Sequence, residues 1–120
     1  MPIVLLKCKQ FAGLEEISRI LAERLPHIVS EALDTPENTN ARLTPGDIEV
    51  EFRWATPRDV NYKDIEITVI AHDYPERTRN IEERKDKIIA GVREFLRDYD
   101  RNLTGWVWIL PQQNSAFGTI

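Results

Sequence analysis

The sequence predicts a domain of the α/β (α+β) class, in which two β-α-β units form one four-stranded mixed sheet with two helices on one face. Two observations support this prediction. Short strand-like segments alternate with two longer segments of helical periodicity, an order typical of β-α-β units. The sequences that lead into the second strand of each half are also similar, RLTPG at 42–46 and NLTG at 102–105. Residues 1–120 are therefore expected to form a single domain with a pseudo-repeat over about 2–56 and 64–110.

The first half begins with a strand. Residues 2–8 contain a continuous run of Ile, Val and Leu at 3–6, as expected for a strand that is covered on both faces. Apolar residues then recur at helical spacing over 14–33, and Pro26 is expected to kink this helix or break it in two. After a loop rich in Thr, Pro and Asn, the alternation of apolar and charged residues over 48–54 predicts the second strand.

The second half repeats this order. Alternation over 65–72 predicts the third strand, which ends near His72. Asn80 and Glu83 have the spacing of a capping box and precede an apolar stripe, which predicts a helix that ends by about residue 100. The apolar run at 106–110 predicts the fourth strand, which Pro111 is expected to stop before a polar tail.

One face of the predicted sheet has no helix to cover it. Right-handed crossovers place both helices on the same face. The other face is then expected either to contact a partner subunit or to be solvated. It carries the polar residues that alternate with apolar ones along the second and third strands, and ion pairs between them would add little stability. These alternates are Glu49, Glu51, Arg53, Glu66 and Thr68.

The composition argues against several classes of function. A net charge of −4 without a stripe of Lys and Arg argues against nucleic acid as a partner. Cys8 is the only cysteine, so we expect no disulfide and a reducing, cytoplasmic setting. With two histidines, no glycine-rich phosphate loop and no apolar run of membrane-spanning length, we also expect no metal, no cofactor and no membrane partner.

Three features together resemble the tautomerase superfamily, which includes macrophage migration inhibitory factor and 4-oxalocrotonate tautomerase. They are Met1-Pro2 directly before a buried strand, two β-α-β units of similar length, and the tail sequence NSAFG at 114–118. The resemblance implies a homotrimer whose uncovered sheet faces turn inward. It also implies a cofactor-independent tautomerase or isomerase that acts on a small α-keto or enol acid.

The resemblance also implies roles for particular residues. Removal of Met1 would free the amine of Pro2 as the catalytic general base, and burial with nearby cations would favour its neutral form. Family members place arginines after the third strand to hold the substrate carboxylate, which here indicates Arg77 and Arg79, although each could equally be a solvated charge. The expected pocket residues are Trp108, Asn114 and Phe117. The arginine that the shortest members carry soon after the first strand is absent, which leaves the substrate class open.

Two alternatives remain at the level of sequence. If Met1 is retained, the nitrogen of Pro2 belongs to an amide and is not basic, and the chain would be a catalytically inactive trimeric small-molecule-binding or scaffold protein on the same fold. The same element order also fits a ferredoxin-like regulatory module. That module would have a fully antiparallel sheet, so strand directions distinguish it from the tautomerase fold.

Overall fold

Four strands form one mixed sheet in this computed structural model, which describes residues 2–11, 13–100 and 102–120. The strands β1 (Ile3–Cys8), β2 (Glu49–Trp54), β3 (Ile65–His72) and β4 (Gly105–Gln112) lie in the order β2-β1-β3-β4. β1 is parallel to β2 and β3 is parallel to β4, whereas the central pair β1–β3 is antiparallel. The predicted mixed sheet is therefore confirmed, and the fully antiparallel ferredoxin-like alternative is excluded.

Two long helices, α1 (Leu14–Leu33) and α3 (Ile81–Leu96), enclose the hydrophobic core against the sheet, and a short helix, α2 (Pro75–Thr78), precedes α3. Their apolar stripes bury the inward-facing residues of the central strands because every second residue of a strand points to the same face. The largest fully buried side chains include Leu6, Leu14, Leu21, Leu25, Leu33, Ile67 and Ile88.

The helix predicted over 14–33 is confirmed as α1, which continues through Pro26, so the alternative of a break into two helices is wrong. A proline inside a helix removes one backbone hydrogen bond. Leu25 and Val29, on either side of Pro26, are fully buried in the core. Since most helical stability in proteins comes from packing of the apolar face, this burial holds the two segments in one helix.

Two other predicted element ends differ from the structure. The capping box at the start of α3 does not form, because Asn80 Oδ1 accepts a hydrogen bond from Arg84 Nε at 2.7 Å, and its side chain caps no helix amide. β4 also continues through Pro111, which lies opposite Ala71 in the register. Proline is tolerated there because β4 is an edge strand, where a missing N–H need not break a ladder bond.

The outer face of the sheet is not covered by any element in the described part of the chain. The register places Leu5 beside Glu51 and Thr68, and Thr68 beside Trp108. The polar alternates predicted for this face lie on it, together with an apolar strip that includes Trp108, 57% exposed, and Leu110, 39% exposed. Val107 and Ile109 point the other way and pack against the core.

The close approach of β4 to β3 at Gly105 gives a testable prediction. A β-carbon at residue 105 would clash with the carbonyl oxygen of Ile65. Gly105→Ala is therefore expected to lower the free energy of unfolding by about 1–3 kcal/mol in urea denaturation. Gly46→Ala is the matched control, because its β-carbon would meet only Thr44 Oγ1, at 3.8 Å. Equal stability of the two variants would contradict this close contact between the strands.

Candidate functional site

A cavity of about 630 Å³ lies at the end of the sheet where β1 starts and where β3 and β4 end. Four segments form its wall: the start of β1, the loop between α1 and β2, the segment from the end of β3 to α2, and the C-terminal tail. The lining includes Pro2, Arg42, His72, Tyr74, Ser115 and Phe117. Its volume falls in the range typical of small-molecule sites, about 300–1,000 Å³.

Pro2, the predicted general base, lies in the wall of this cavity. The residue is buried, and its carbonyl accepts a hydrogen bond of 3.2 Å from the amide of Glu49 at the start of β2. The next residue, Ile3, pairs with Glu49 on one side and with Ile70 on the other. Pro2 is therefore held at the edge of the sheet where β1 and β2 start and β3 ends.

Arg77 borders the same cavity, but its guanidinium group is engaged inside the protein. The residue is 3% exposed. Its Nε, Nη1 and Nη2 atoms donate to the carbonyl oxygens of Leu33, His72 and Ala41, at 3.1, 3.1 and 3.0 Å. Burial lowers the pKa of Arg77, and the positive charge of Arg84 adds to this effect. Each guanidinium nitrogen is thus bound to a backbone carbonyl rather than directed at a ligand.

Arg42 is the cation that the sequence analysis did not identify as a site residue. It lies in the loop between α1 and β2, borders the cavity, and has a side chain that is 58% exposed. Its Nε donates to Asp34 Oδ1 at 3.1 Å, and the amide of Leu43 donates to the same oxygen at 2.8 Å. Partial burial opposes ionisation of Asp34, but these hydrogen bonds and the charge of Arg42 lower its pKa below the ordinary value.

The segment after β3 and the tail form an aromatic and polar part of the cavity wall. The rings of His72 and Tyr74 meet edge to face, with centroids 4.5 Å apart. His72 Nδ1 is hydrogen-bonded to the Ser115 hydroxyl, which also donates to the Gln112 carbonyl at 3.2 Å. These contacts hold the tail against the end of β3, so that Phe117, although 65% exposed, borders the cavity.

The other three predicted site residues do not line the cavity within one chain. Arg79 is exposed and its Nη2 lies 3.4 Å from Glu37 Oε1. Trp108 lies on the uncovered face of the sheet. Asn114 lies in the tail with a φ of 57°, the left-handed conformation that asparagine tolerates better than most residues. Pro2, Arg77 and Phe117 are therefore the predicted residues that the cavity brings together.

Other features bear on the chemistry that the cavity can perform. Asp47 also lines it, but its carboxylate accepts from the amide and hydroxyl of Thr44, at 2.8 and 3.0 Å. Within the described residues, no group of three or more His, Cys, Asp or Glu side chains is arranged to hold a metal ion. Over the same residues, no helix is both long and apolar enough to cross a membrane.

Solved structures of the same fold align with nearly the whole chain. Malonate semialdehyde decarboxylase aligns with a TM-score of 0.63 and 14% identity, over 98% of this chain and 91% of that chain. Pt0534 inactivated by 2-oxo-3-pentynoate aligns with a TM-score of 0.61 and 13% identity, over 98% of this chain and 90% of that chain. A macrophage migration inhibitory factor-like protein from Entamoeba histolytica aligns with a TM-score of 0.60 and 13% identity, over 99% of this chain and 95% of that chain. No protein-family model and no curated protein sequence matches the chain. The chain therefore has the fold of the tautomerase superfamily.

The contact between the tail and His72 predicts the effect of a single substitution. Ser115→Ala removes the hydroxyl that binds His72 and the Gln112 carbonyl. A lost hydrogen bond of about 1 kcal/mol corresponds to a roughly fivefold larger population of detached tail. Chymotrypsin should then cleave after Phe117 about fivefold faster than in the unmodified protein. Thr119→Ala, in the same tail, is the control, and equal cleavage of both variants would show that Ser115 does not hold the tail.

Proposed function

We propose that this chain is a cofactor-independent tautomerase or isomerase of a small α-keto or enol acid, with Pro2 as the general base once Met1 is removed. The observation that supports this proposal is that Pro2 and Arg42, a largely exposed arginine, border the same cavity. A base and a carboxylate-binding cation at one cavity are the minimum that proton transfer on a keto acid requires.

The reaction assigns one proton movement to Pro2. The neutral amine takes a proton from the carbon next to the keto group, and the electrons of that C–H bond form the C=C bond of the enol. The carbonyl oxygen takes a proton from solvent water, and the protonated Pro2 returns its proton to solvent, so that no net charge is gained. Reversal of these transfers restores the keto form. Burial of Pro2, and the positive charges of Arg42 and Arg77 at the same cavity, favour the neutral amine, which is the form that acts as a base.

We assign the substrate carboxylate to Arg42 rather than to Arg77 or Arg79. The Nε of Arg42 is bound to Asp34, while the structure describes no protein partner for its two terminal nitrogens. Two guanidinium N–H groups can grip a carboxylate through two parallel hydrogen bonds. Asp34 holds the arginine in place because it is also bound to the backbone at Leu43.

The remaining wall suggests a substrate with an apolar or aromatic group next to its keto acid. Tyr74, His72 and Phe117 offer ring surfaces on the side of the tail. Of the structural neighbours, Pt0534 is inactivated by 2-oxo-3-pentynoate, a keto acid with an electrophilic triple bond. A neutral Pro2 amine in this cavity should add to such a molecule.

The proposal includes a homotrimer assembled through the uncovered face of the sheet. This face exposes Trp108 and Leu110 on the edge strand β4, and charged groups of both signs, such as Arg53 and Glu51, on the other edge strand, β2. An exposed apolar strip with a polar rim is typical of an interface between subunits. Trp108 and Asn114 then stay predictions as pocket residues, since a neighbouring subunit would have to bring them to the site.

One structural feature favours a second candidate, an inactive binding or scaffold protein on the same fold. Arg77 is one of the two arginines that the family resemblance assigns to the substrate, but its three guanidinium nitrogens donate hydrogen bonds to backbone carbonyls. If Met1 is also retained, the cavity has neither a basic Pro2 amine nor an Arg77 guanidinium group available to a substrate carboxylate. Intact mass of the untagged protein distinguishes the candidates first, because the catalytic proposal requires the chain to begin at Pro2.

Covalent labelling tests the role of Pro2. On incubation with 2-oxo-3-pentynoate, the protein that begins at Pro2 should gain one adduct, and peptide mass spectrometry should place it on residue 2. The buried thiol of Cys8, whose pKa burial raises to about 12, should remain unlabelled while the protein is folded. Labelling of unfolded protein provides the reference for Cys8. An adduct elsewhere, or none on a chain shown to lack Met1, would contradict the assignment of the base.

Substitution of Arg42 tests the carboxylate site. Arg42→Gln should raise KM for phenylpyruvate about tenfold or more, because a charged hydrogen-bonding partner of the substrate is lost. kcat should change less, since Pro2 is unaltered. The matched control is Arg19→Gln, because Arg19 also pairs with one carboxylate and is 64% exposed but lies on the outer side of α1. Similar KM values for both variants would exclude Arg42 from substrate binding.

Light scattering tests the trimer. Trp108→Asp places a charge in the apolar strip and should convert a trimer into monomers at micromolar concentration. Val60→Asp is the control, because Val60 is 80% exposed but lies in the loop between β2 and β3. A monomeric unmodified protein, or a trimer that tolerates Trp108→Asp, would contradict the proposed interface.

A further inference from the structure

We infer that Arg77 is a positioning residue, which fixes the two walls that carry Arg42 and His72 and does not touch the substrate. The inference rests on the proposed function and deepens it, since it assigns the arrangement of the site to a side chain outside the reaction. The family resemblance had assigned this residue to substrate binding.

The three hydrogen bonds of Arg77 join three separate segments of the chain. Leu33 is the last residue of α1, Ala41 immediately precedes Arg42, and His72 is the last residue of β3. Leu33, Ala41 and His72 are 44, 36 and 5 residues away from Arg77 in sequence. One planar group therefore sets the distance between the loop before β2 and the end of β3.

Both of the joined walls carry groups that the proposed site uses. Ala41 lies between two residues that line the cavity, Asn40 and Arg42, and His72 lines it directly. His72 in turn holds the tail through Ser115, and Tyr74 packs against Arg77 with its ring 5.3 Å from the guanidinium carbon. A displacement of Arg77 would thus move the carboxylate-binding side and the aromatic side of the cavity relative to Pro2.

The requirement is for an arginine and not for positive charge alone. A guanidinium group presents its donors in a rigid planar fork, whereas a lysine ammonium is a single point at the end of a flexible chain. Lysine at position 77 would keep the charge but could not reach the Leu33, Ala41 and His72 carbonyls with the same geometry. The conservative variant therefore separates positioning from simple electrostatics.

Arg84 provides a matched control in the same part of the fold. It is also buried, at 6% exposure, and it donates to the backbone carbonyls of Ala32, Asp34 and Glu76. None of these three residues lines the cavity. Of the three, Asp34 also holds Arg42, but its amide stays bound to the Ser30 carbonyl, at 2.8 Å, when Arg84 is replaced. Arg84→Lys should therefore lower stability as Arg77→Lys does, without moving the walls of the site.

The experiment compares Arg77→Lys with Arg84→Lys, by turnover of phenylpyruvate at a temperature where circular dichroism shows both variants folded. Arg77→Lys should raise KM about tenfold with a smaller change in kcat, since displaced Arg42 loses charged hydrogen bonds. Arg84→Lys should leave KM within about twofold of the unmodified value, since the walls of the site keep their places. In the Arg42→Gln background, Arg77→Lys should add little further to KM. Equal KM effects of the two lysine variants, or an unchanged KM for Arg77→Lys, would overturn the inference.

Hydrogen exchange separates failure of this inference from failure of the proposed function. The amides of Ala41 and Leu43 are hydrogen-bonded to Asn38 and Asp34 in the loop that Arg77 anchors. Their exchange should be faster in Arg77→Lys and unchanged in Arg84→Lys, whether or not the protein turns over a keto acid. Equal exchange in both variants overturns the positioning role, whereas absence of turnover with selective loss of protection overturns only the enzymatic proposal.

A measurement on the unmodified protein applies if Arg77→Lys does not fold. In ¹⁵N NMR spectra of the arginine Nε–H groups, addition of phenylpyruvate should shift the Arg42 signal, identified by its loss in Arg42→Gln. The Arg77 signal should remain in slow exchange with water, because its Nε stays bound to Leu33. Rapid exchange of Arg77 Nε–H on ligand addition would show that Arg77 leaves its carbonyls for the substrate, which would overturn the inference.

Discussion

The antiparallel pairing of β1 with β3, at the centre of the sheet, is the constraint on which the candidate site depends. It places Ile3 opposite Ile70, so that the start of the chain lies beside the end of β3. The parallel partners on either side then bring the start of β2 and the end of β4 to the same edge. With a fully antiparallel sheet, these four chain segments would not converge on Pro2 and no common cavity would form.

A second constraint comes from the C-terminal end of α1, whose last turn contains no basic residue of its own. Helix C-termini carry unpaired carbonyls and a partial negative charge. Arg77, on α2, donates a hydrogen bond to the carbonyl of Leu33. Arg84, on α3, donates to the carbonyls of Ala32 and Asp34. Both buried arginines hold the end of α1, and Arg77 also joins it to the loop and to the strand end that border the cavity. Carboxylate binding is proposed instead for Arg42.

Local sequence patterns predicted the helices and strands, whereas contacts between residues distant in sequence determined how two prolines are accommodated and where the arginine side chains lie. Alternation identified β2 and β3, and helical spacing identified both long helices, because these periods follow from backbone geometry. Continuous apolar runs identified β1 and β4. The uninterrupted helix at Pro26 and the strand through Pro111 depend on burial and on an edge position, neither of which is visible locally. The surroundings of Arg77 and Arg42 were likewise hidden, since both border the cavity and only folding shows that Arg77 binds backbone carbonyls while the Arg42 side chain stays 58% exposed. The similar segments RLTPG and NLTG gave no signal for Arg42, because the second has Asn102 at the corresponding position.

The most direct measurement of the central claim is the exchange of the methylene protons of phenylpyruvate for deuterium, followed by proton NMR in D₂O. A protein verified by intact mass to begin at Pro2 should accelerate exchange of one of the two protons over the buffer rate. Pro2→Ala, which lacks the secondary amine but keeps the fold, should remove most of this acceleration. Exchange at the buffer rate, or unchanged catalysis by Pro2→Ala, would contradict the assignment of Pro2 as the base that transfers the proton.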